Sequence, residues 1–302
     1  MKTVDAHINR LAAGQHSLVH RTQALELGMT PHQLQDRVAS GILVPVHRSV
    51  YRLAGAPASP EQALRAACLA AGGAVASHRS AAVLWGLRGV EAAGIEITVP
   101  RMACPTLRSV VVHRTDTLGP IDVSRRLRIP VTTPARTLLD LGAVVPEPVV
   151  EFALEDALMR RLVSFTLLTQ TLERLGVPGR SGAGVLRALV EERDPATAPT
   201  QRRLEDELLR VLRRGGLPEP VRQYEVAGVR LDFAYPEIRL GLEADSRIWH
   251  GGRLDVQRNS EKGNALVARG WRVLHFTWGD ARRRTAYVVN AVGRGVALAC
   301  PA

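Results

Sequence analysis

Three carboxylates in the C-terminal third of the chain have the spacing of a chemical site. Asp232 lies before, and Glu243 and Asp245 lie after, the turn-forming residues Tyr235-Pro236-Glu237. Carboxylates that crowd together repel one another, so they require a cation, basic partners or open water. A divalent metal ion is therefore the first hypothesis for these residues. The alternative is a surface ion network in which they pair with nearby arginines, namely Arg230, Arg239, Arg247 and Arg253.

A β-hairpin is the element that must position these acids. Apolar and polar residues alternate in Val229–Ala234 and Ile238–Ala244, and this alternation predicts two strands, because side chains alternate between the faces of a sheet. With Asp232 paired to Gly241, the acids share one face with Arg230. The other face is then predicted to be an apolar core face made of Leu231, Phe233, Leu240, Leu242 and Ala244.

The whole chain carries an excess of positive charge. It has 302 residues, of which 46% are apolar, and a net charge of +11. Arginine provides almost all of the basic groups, since the two lysines are Lys2 and Lys262. Guanidinium groups match phosphates, so we expect a polyanionic partner, although a GC-rich genome would also favour arginine codons. The length predicts two or three domains.

Cysteine use and hydropathy narrow the class of protein. Cys68, Cys104 and Cys300 are isolated, so the sequence predicts neither a disulfide framework nor a zinc knuckle. Residues 1–10 contain no apolar signal core, and no run reaches the length of a membrane span. We therefore expect a cytoplasmic protein without a membrane partner. None of these features indicates an oligomeric state.

The N-terminal segment predicts a winged helix-turn-helix. Thr22–Leu27 reads as a helix that ends at Gly28, and Thr30-Pro31 opens a second helix with an N-cap and a first-turn proline. Two short strands, ILVPV and SVYRL, follow as a wing. The side chains expected to reach base edges or phosphates are His32, Gln33, Gln35 and Arg37 of the second helix and His47 and Arg48 of the wing.

The run from Gly14 to Leu53, with SGILVPVHRSVYRLAG at its end, resembles the winged N-terminal domain of AbiEi-type antitoxins of type IV toxin–antitoxin systems. The resemblance implies binding to double-stranded DNA, repression of the protein's own operon and a toxin as a possible partner. The motifs SHRS at Ser77–Ser80 and TTPART at Thr132–Thr137 are similar to the middle portion of the same family.

The middle segment predicts a small α+β unit. Helical periodicity covers Glu61–Ala71 and Ser77–Trp85, and Ile95–Val99 and Val110–His113 alternate like paired strands. Ser77, His78 and Asp140 have the residue types of a nucleophilic triad, but no motif brings them together, and Ser77 more simply caps a helix. We therefore interpret His78, His113 and the arginines near residue 126 as solvated or phosphate-facing. Residues 176–184 predict a flexible joint.

The C-terminal segment has the predicted order αβββαβα. This order and several motifs resemble Vsr-like endonucleases of the restriction-endonuclease, or PD-(D/E)xK, fold over residues 199–294. The motifs are GLPEP at Gly216–Pro220, LDFAYP at Leu231–Pro236, LGLEAD at Leu240–Asp245, Trp249-His250, and GWRVLHFTW at Gly270–Trp278.

The resemblance implies a Mg²⁺-dependent nuclease site. Asp232 would be the first metal ligand and Glu243 the second, and Asp245 stands where many relatives have a lysine. His250 would transfer protons near the metal ion, and Glu205 on the preceding helix would hydrogen-bond a metal-bound water. Several positions depart from the usual pattern of the family, namely Arg202, Arg203, Ser246, Asn259 and Gly263. Lys262 is an alternative source of the missing ammonium group.

These features together predict an α+β multidomain protein. We expect a winged helix-turn-helix at 1–55, an AbiEi-like middle α+β unit at 60–175, a linker with a short helix at 176–198, and a restriction-endonuclease-like domain at 199–298. The first hypothesis for function is a DNA-binding protein that hydrolyses phosphodiesters with a divalent metal ion. The alternative is a non-catalytic, antitoxin-like transcriptional regulator that uses the nuclease-like fold to bind DNA or a partner.

Overall fold

The computed structural model describes residues 2–103, 105–177, 179–193, 201–226, 228–245 and 253–297. The chain divides into two compact units, Met1–Ala188 and Leu189–Ala302. Across the described ranges, every helix is too short or too polar to cross a lipid bilayer.

The first unit begins with a winged helix-turn-helix. Its elements are α1 (Lys2–Ala13), β1 (Leu18–His20), α2 (Arg21–Glu26), α3 (Pro31–Ala39), β2 (Leu43–His47) and β3 (Val50–Leu53). The strands form an antiparallel sheet in the order β1-β3-β2. The predicted helices and wing are therefore confirmed. The three-residue strand β1 was not predicted from the sequence.

Local capping explains why α3 begins at Pro31. The Thr30 hydroxyl accepts a hydrogen bond from the Gln33 amide at 3.2 Å, and the Gln33 side chain accepts one from the Thr30 amide at 3.0 Å. Leu34 then points into a core that also contains Ile8, Val19 and Leu43. This packing fixes α3 with its opposite, polar side outward.

The middle of the first unit is built on a second sheet. Its strands are β4 (Val75–Ala76), β5 (Ile95–Pro100), β6 (Val110–Thr115), β7 (Val123–Arg126) and β8 (Ile129–Thr132), in the order β6-β5-β4-β8-β7. Its helices are α4 (Pro60–Ala70), α5 (His78–Trp85), α6 (Pro134–Leu141), α7 (Glu147–Met159), α8 (Phe165–Leu175) and α9 (Ala183–Arg193), with a 3₁₀ turn at Pro120–Asp122.

The expectations for His78 and Ser77 were wrong. His78 is only 7% exposed, so it is not solvated. The Ser77 side chain makes no capping hydrogen bond, and its hydroxyl oxygen instead lies 3.0 Å from Nδ1 of His78. The arginines near residue 126 flank the turn of the β7–β8 hairpin. The expected joint is packed around Gly182, because a Cβ there would lie 2.4 Å from the Leu139 carbonyl oxygen.

The second unit has the predicted order of elements, with one short extra helix. They are α10 (Gln201–Arg214), β9 (Val221–Val226), β10 (Val229–Tyr235), a 3₁₀ turn at Pro236–Ile238, β11 (Leu240–Asp245), α11 (Arg253–Val267), β12 (Arg272–Thr277), α12 (Trp278–Arg283) and α13 (Thr285–Ala297). The sheet order is β12-β11-β10-β9, and β11 runs parallel to β12.

The hairpin differs from its prediction in register and in burial. Gly241 pairs with Ala234 rather than with Asp232, because the turn continues through Arg239, which has a left-handed φ of 50°. Leu231 and Phe233 do not share a face. Leu231 packs in one core with Leu266 and Trp271, whereas Phe233 packs in another with helices α10 and α13, so both faces of the sheet are covered.

The switch of face coincides with an irregularity in β9. Gln223 lies opposite Asp232 and has a positive φ of 48°, which breaks the regular alternation of the strand pair. A twist of this kind re-aims the side chains next to it. Asp232 therefore lies where the apolar side chains of β10 change from one face of the sheet to the other.

Candidate functional site

Glu243 lies at the centre of a polar row that crosses the sheet of the second unit. The antiparallel pairing of β10 and β11 ends at Phe233 and Leu242, and just beyond it the side chains of Asp232 and Glu243 hydrogen-bond to each other. The parallel register of β11 and β12 pairs Glu243 with His275. The structure thus brings together the two acids predicted as metal ligands and adds a histidine from a distant strand.

Hydrogen bonds hold Asp232 at the end of α10. Its Oδ2 accepts from the Ala244 amide at 2.8 Å and from Nε2 of Gln201 at 3.1 Å. Glu205, one helical turn beyond Gln201, is only 8% exposed and accepts from Nε2 of Gln223 at 3.1 Å. Helix α10 therefore contributes both an orienting amide and a third carboxylate, and the role predicted for Glu205 stays a prediction.

The pKa values of Glu243 and Glu205 are raised by burial and by a neighbouring carboxylate. Burial and the neighbouring Asp232 carboxylate raise the pKa of Glu243 to about 7, against the opposing influence of Lys262 and His275. Burial and Asp232 also raise the pKa of Glu205. Burial and, to a smaller extent, the Asp232 charge thus favour a proton on Glu243 near neutral pH, and a divalent cation would stabilise such a group of oxygen ligands in its ionised form.

The remaining predicted residues lie in different positions. Asp245 is half-buried, and its Oδ2 lies 3.1 Å from Nδ1 of His275. Lys262 is exposed on α11 and close enough to Glu243 to lower its pKa. His250 and Ser246 lie outside the described residues. His275 was missed by the sequence analysis, since only the pairing of β11 with β12 reveals that it adjoins Glu243.

The raised pKa of Glu243 predicts a pH-dependent loss of stability. The folded protein keeps this proton up to about pH 7, whereas the unfolded chain loses it near its ordinary value, so stability falls as the pH rises through that window. We expect Glu243→Gln to raise the free energy of unfolding at pH 8 by about 1–2 kcal/mol after allowance for solvent screening, and to change little at pH 4.

Urea unfolding in the presence of EDTA measures this effect. Glu237→Gln is the matched control, since Glu237 is an exposed acid in the adjacent turn. The same pH dependence in both variants would contradict the placement of Glu243 against Asp232.

The predicted DNA-reading residues of α3 are only partly free. Gln35 is exposed, and His32 is exposed and lies 3.0 Å from Asp36. Gln33 is occupied by the capping box described above. Arg37 makes two 2.8 Å hydrogen bonds to Asp5 of α1, so its guanidinium group ties the two helices together. In the wing, His47 is half-buried at the end of β2 and Arg48 is exposed in the turn.

Comparison with known proteins bears on this N-terminal region. Residues 8–54 match the family described as "Transcriptional regulator, AbiEi antitoxin". The N-terminal domain is AbiEi-like. The match covers α2, α3 and the wing. The predicted DNA-reading residues lie on α3 and in the wing.

Two relatives that match most of the chain come from Mycobacterium tuberculosis. The uncharacterized protein Rv2248 of strain H37Rv is 28% identical over 275 residues, which cover 88% of this chain and 97% of that protein, and MT2308 of strain CDC 1551 matches equally. The crystal structure of the RV2827C protein from the same species is 18% identical, with a TM-score of 0.42, and covers 66% of this chain and 83% of that one.

Proposed function

We propose that this chain is a DNA-binding protein whose C-terminal domain hydrolyses phosphodiester bonds with a divalent metal ion. The observation that carries the proposal is the side-chain contact between Asp232 and Glu243 on neighbouring strands, with the Glu205 carboxylate close to Asp232 and the pKa of Glu243 raised to about 7. Carboxylates this close together repel one another, and a bound cation would neutralise that repulsion. The proposed fold of the domain is restriction-endonuclease-like.

The donor set fits Mg²⁺. Asp232 and Glu243 offer carboxylate oxygens, which hard divalent cations prefer, and Glu205 lies where it can accept from a metal-bound water. When bound, the ion would activate water and stabilise charge on the phosphate. Gln201 and the Ala244 amide orient Asp232, and the pair of His275 and Asp245 provides an exposed group that can exchange protons at the rim of the site.

A second function is favoured by the family match at residues 8–54. A transcriptional regulator of the AbiEi type would use the winged domain to bind its operator and would have a toxin as its partner. In this case the second unit would act as a binding module, and its acids would serve no hydrolysis.

One experiment separates the two functions. The full chain, freed of metal, is mixed with supercoiled plasmid and with duplex DNA from its own promoter, first in EDTA and then with Mg²⁺ or Mn²⁺. The nuclease proposal expects retarded DNA in EDTA and nicked plasmid after the metal is added. Retardation without nicking in either metal supports the regulator, and the absence of both contradicts both functions.

The winged domain predicts two different responses to mutation. Arg48→Ala removes an exposed phosphate-facing charge, so we expect weaker binding to every duplex and a salt slope reduced by about 1. Gln35→Ala removes a candidate base contact, so we expect a loss of about 1–3 kcal/mol for the preferred sequence only. Fluorescence anisotropy over a salt series measures both effects.

Arg10→Ala is the control for these variants, because Arg10 is an exposed arginine of α1 and belongs neither to α3 nor to the wing. If Arg10→Ala weakens binding as much as Arg48→Ala does, the basic charge of the chain, and not the wing, determines its affinity for DNA.

A further inference from the structure

Two histidines and a glutamate meet in the middle of the first unit. His78 begins α5, Glu96 lies on β5 and His113 lies on β6, and one ligand atom of each lies within 4.8 Å of the other two. Nε2 of His113 is 2.9 Å from Oε2 of Glu96, and the two imidazole rings stack with centroids 3.5 Å apart. These three residues are named the His–Glu–His cluster.

We propose that the His–Glu–His cluster binds a transition-metal ion of the zinc class. Two imidazole nitrogens and one carboxylate form a donor set that suits Zn²⁺ better than Mg²⁺. Tetrahedral coordination with bonds of about 2.0–2.2 Å separates donor atoms by about 3.3 Å. The 2.9 Å between the His113 nitrogen and the Glu96 oxygen therefore has to lengthen by only about 0.4 Å.

Neighbouring side chains contact the ligand atoms that an ion would not need. The Ser77 hydroxyl lies 3.0 Å from Nδ1 of His78, which leaves the other ring nitrogen for an ion. Nη1 of Arg79 donates to Oε1 of Glu96 at 2.8 Å, which leaves Oε2 facing His113. Outer contacts of this kind orient metal ligands and select the histidine tautomer.

The backbone at His78 has a strained conformation, and His78 is one of the three residues of the cluster. His78 has a φ of 50°, in the left-handed region that a residue with a Cβ rarely adopts. This conformation directs the side chain inward at the start of α5, where it is 7% exposed. Strain of this type persists where the surrounding structure demands it and concentrates at functional positions.

A buried hydroxyl beside the cluster indicates that a ligand belongs there. Thr98 is 1% exposed, lies two residues beyond Glu96 on the same face of β5, and pairs with His113 in the sheet. Its hydroxyl has no hydrogen-bond partner among the described residues. A buried polar group without a partner is costly, and a water molecule bound to the ion would provide that partner.

Coordination changes the arrangement of the two rings. A metal ion lies close to the plane of each imidazole that binds it, whereas the rings of His78 and His113 are stacked at an interplanar angle of 17°. The His78 ring therefore turns out of the stack as the ion binds. The histidine ring resonances in the NMR spectrum report this rotation separately from the affinity.

Zinc binding is tested on the full chain after chelation and removal of the chelator, in buffer with excess Mg²⁺ so that the acid pair of the second unit does not compete. Calorimetric titration with Zn²⁺ is expected to show one ion per chain, and His113→Ala is expected to weaken binding by at least about tenfold. His7→Ala, which removes an exposed histidine of α1, leaves the affinity unchanged. No uptake of Zn²⁺ by the wild type, or equal affinity in His113→Ala, would overturn the proposal.

His113→Cys distinguishes a ligand from a residue that only supports the fold. A thiolate also binds zinc-class ions, so this variant recovers binding that His113→Ala loses. With Co²⁺ it gains a near-ultraviolet thiolate-to-metal absorption band that the wild type lacks. If the variant lacks that band, or if the wild type already shows it, His113 is not a ligand and the proposal fails.

Discussion

We expect Asp232→Asn to reduce metal-dependent plasmid nicking by about a hundredfold or more, because it would remove one of the two charges proposed to hold the divalent ion. Asparagine keeps an oxygen that can accept the hydrogen bond from the Ala244 amide, so the local backbone is preserved. We expect the same effect on nicking from Glu243→Gln, since the Glu243 side chain hydrogen-bonds to that of Asp232. Initial rates of conversion from supercoiled to open-circular DNA in Mg²⁺ measure both variants.

Glu237→Gln is the control for the loss of nicking, since it removes an exposed acid from the turn of the same hairpin. Equal rates for all variants and the wild type would show that any nicking arises elsewhere in the chain or from a contaminant. Urea unfolding confirms that the variants are folded.

We expect Arg136→Met to lower the free energy of unfolding by about 3 kcal/mol, because it removes a buried arginine from Asp140 and Asp122 and leaves each carboxylate with one arginine partner, Arg180 and Arg174 respectively. The Arg136 side chain is 2% exposed, and its Nε donates to both carboxylate oxygens of Asp140 at 3.0 and 2.9 Å. Its Nη1 donates to the Thr117 carbonyl oxygen at 2.7 Å and lies 3.6 Å from Asp122. Methionine fills the volume but satisfies none of these groups.

The surface pair of Arg101 and Asp116 provides the matched control. Its side chains are 71% and 62% exposed, so Arg101→Met is expected to cost less than about 1 kcal/mol. Adding Asp140→Asn to Arg136→Met is expected to recover part of the loss, since it removes the buried charge to which Arg136 donates two hydrogen bonds. Chemical unfolding of the four proteins measures these differences, and a similar loss from both single arginine variants would contradict the assigned role of burial.

Local signals in the sequence predicted most of the secondary structure. The N-cap and proline at Thr30-Pro31 located α3, and the alternation in Val229–Ala234 and Ile238–Ala244 located the hairpin, because capping and periodicity depend on neighbouring residues. The short strands β1 and β4 were missed, since strands of two or three residues carry no periodicity. The register of the hairpin was missed because the left-handed turn at Arg239 has no glycine to mark it.

The sites depend on contacts between distant segments, which no local pattern encodes. Asp232 and Glu243 were predicted through a motif, but His275 enters that row only through a parallel pairing whose register the sequence does not specify. His78 and His113 seemed solvated because each is an isolated histidine beside polar neighbours. Their contact with Glu96 arises from the packing of α5 on β5 and β6, and a buried glutamate inside an apolar strand was the signal for it.

Binding of Mn²⁺ to the acid pair tests the central claim most directly. Electron paramagnetic resonance of free Mn²⁺, titrated with the full chain at pH 8, reports the bound fraction without any need for DNA. We expect wild type and Glu237→Gln to bind Mn²⁺ alike, and Asp232→Asn and Glu243→Gln to bind it at least about tenfold more weakly. Equal binding by all four proteins, or none by the wild type, would contradict the assignment of a metal site to Asp232 and Glu243.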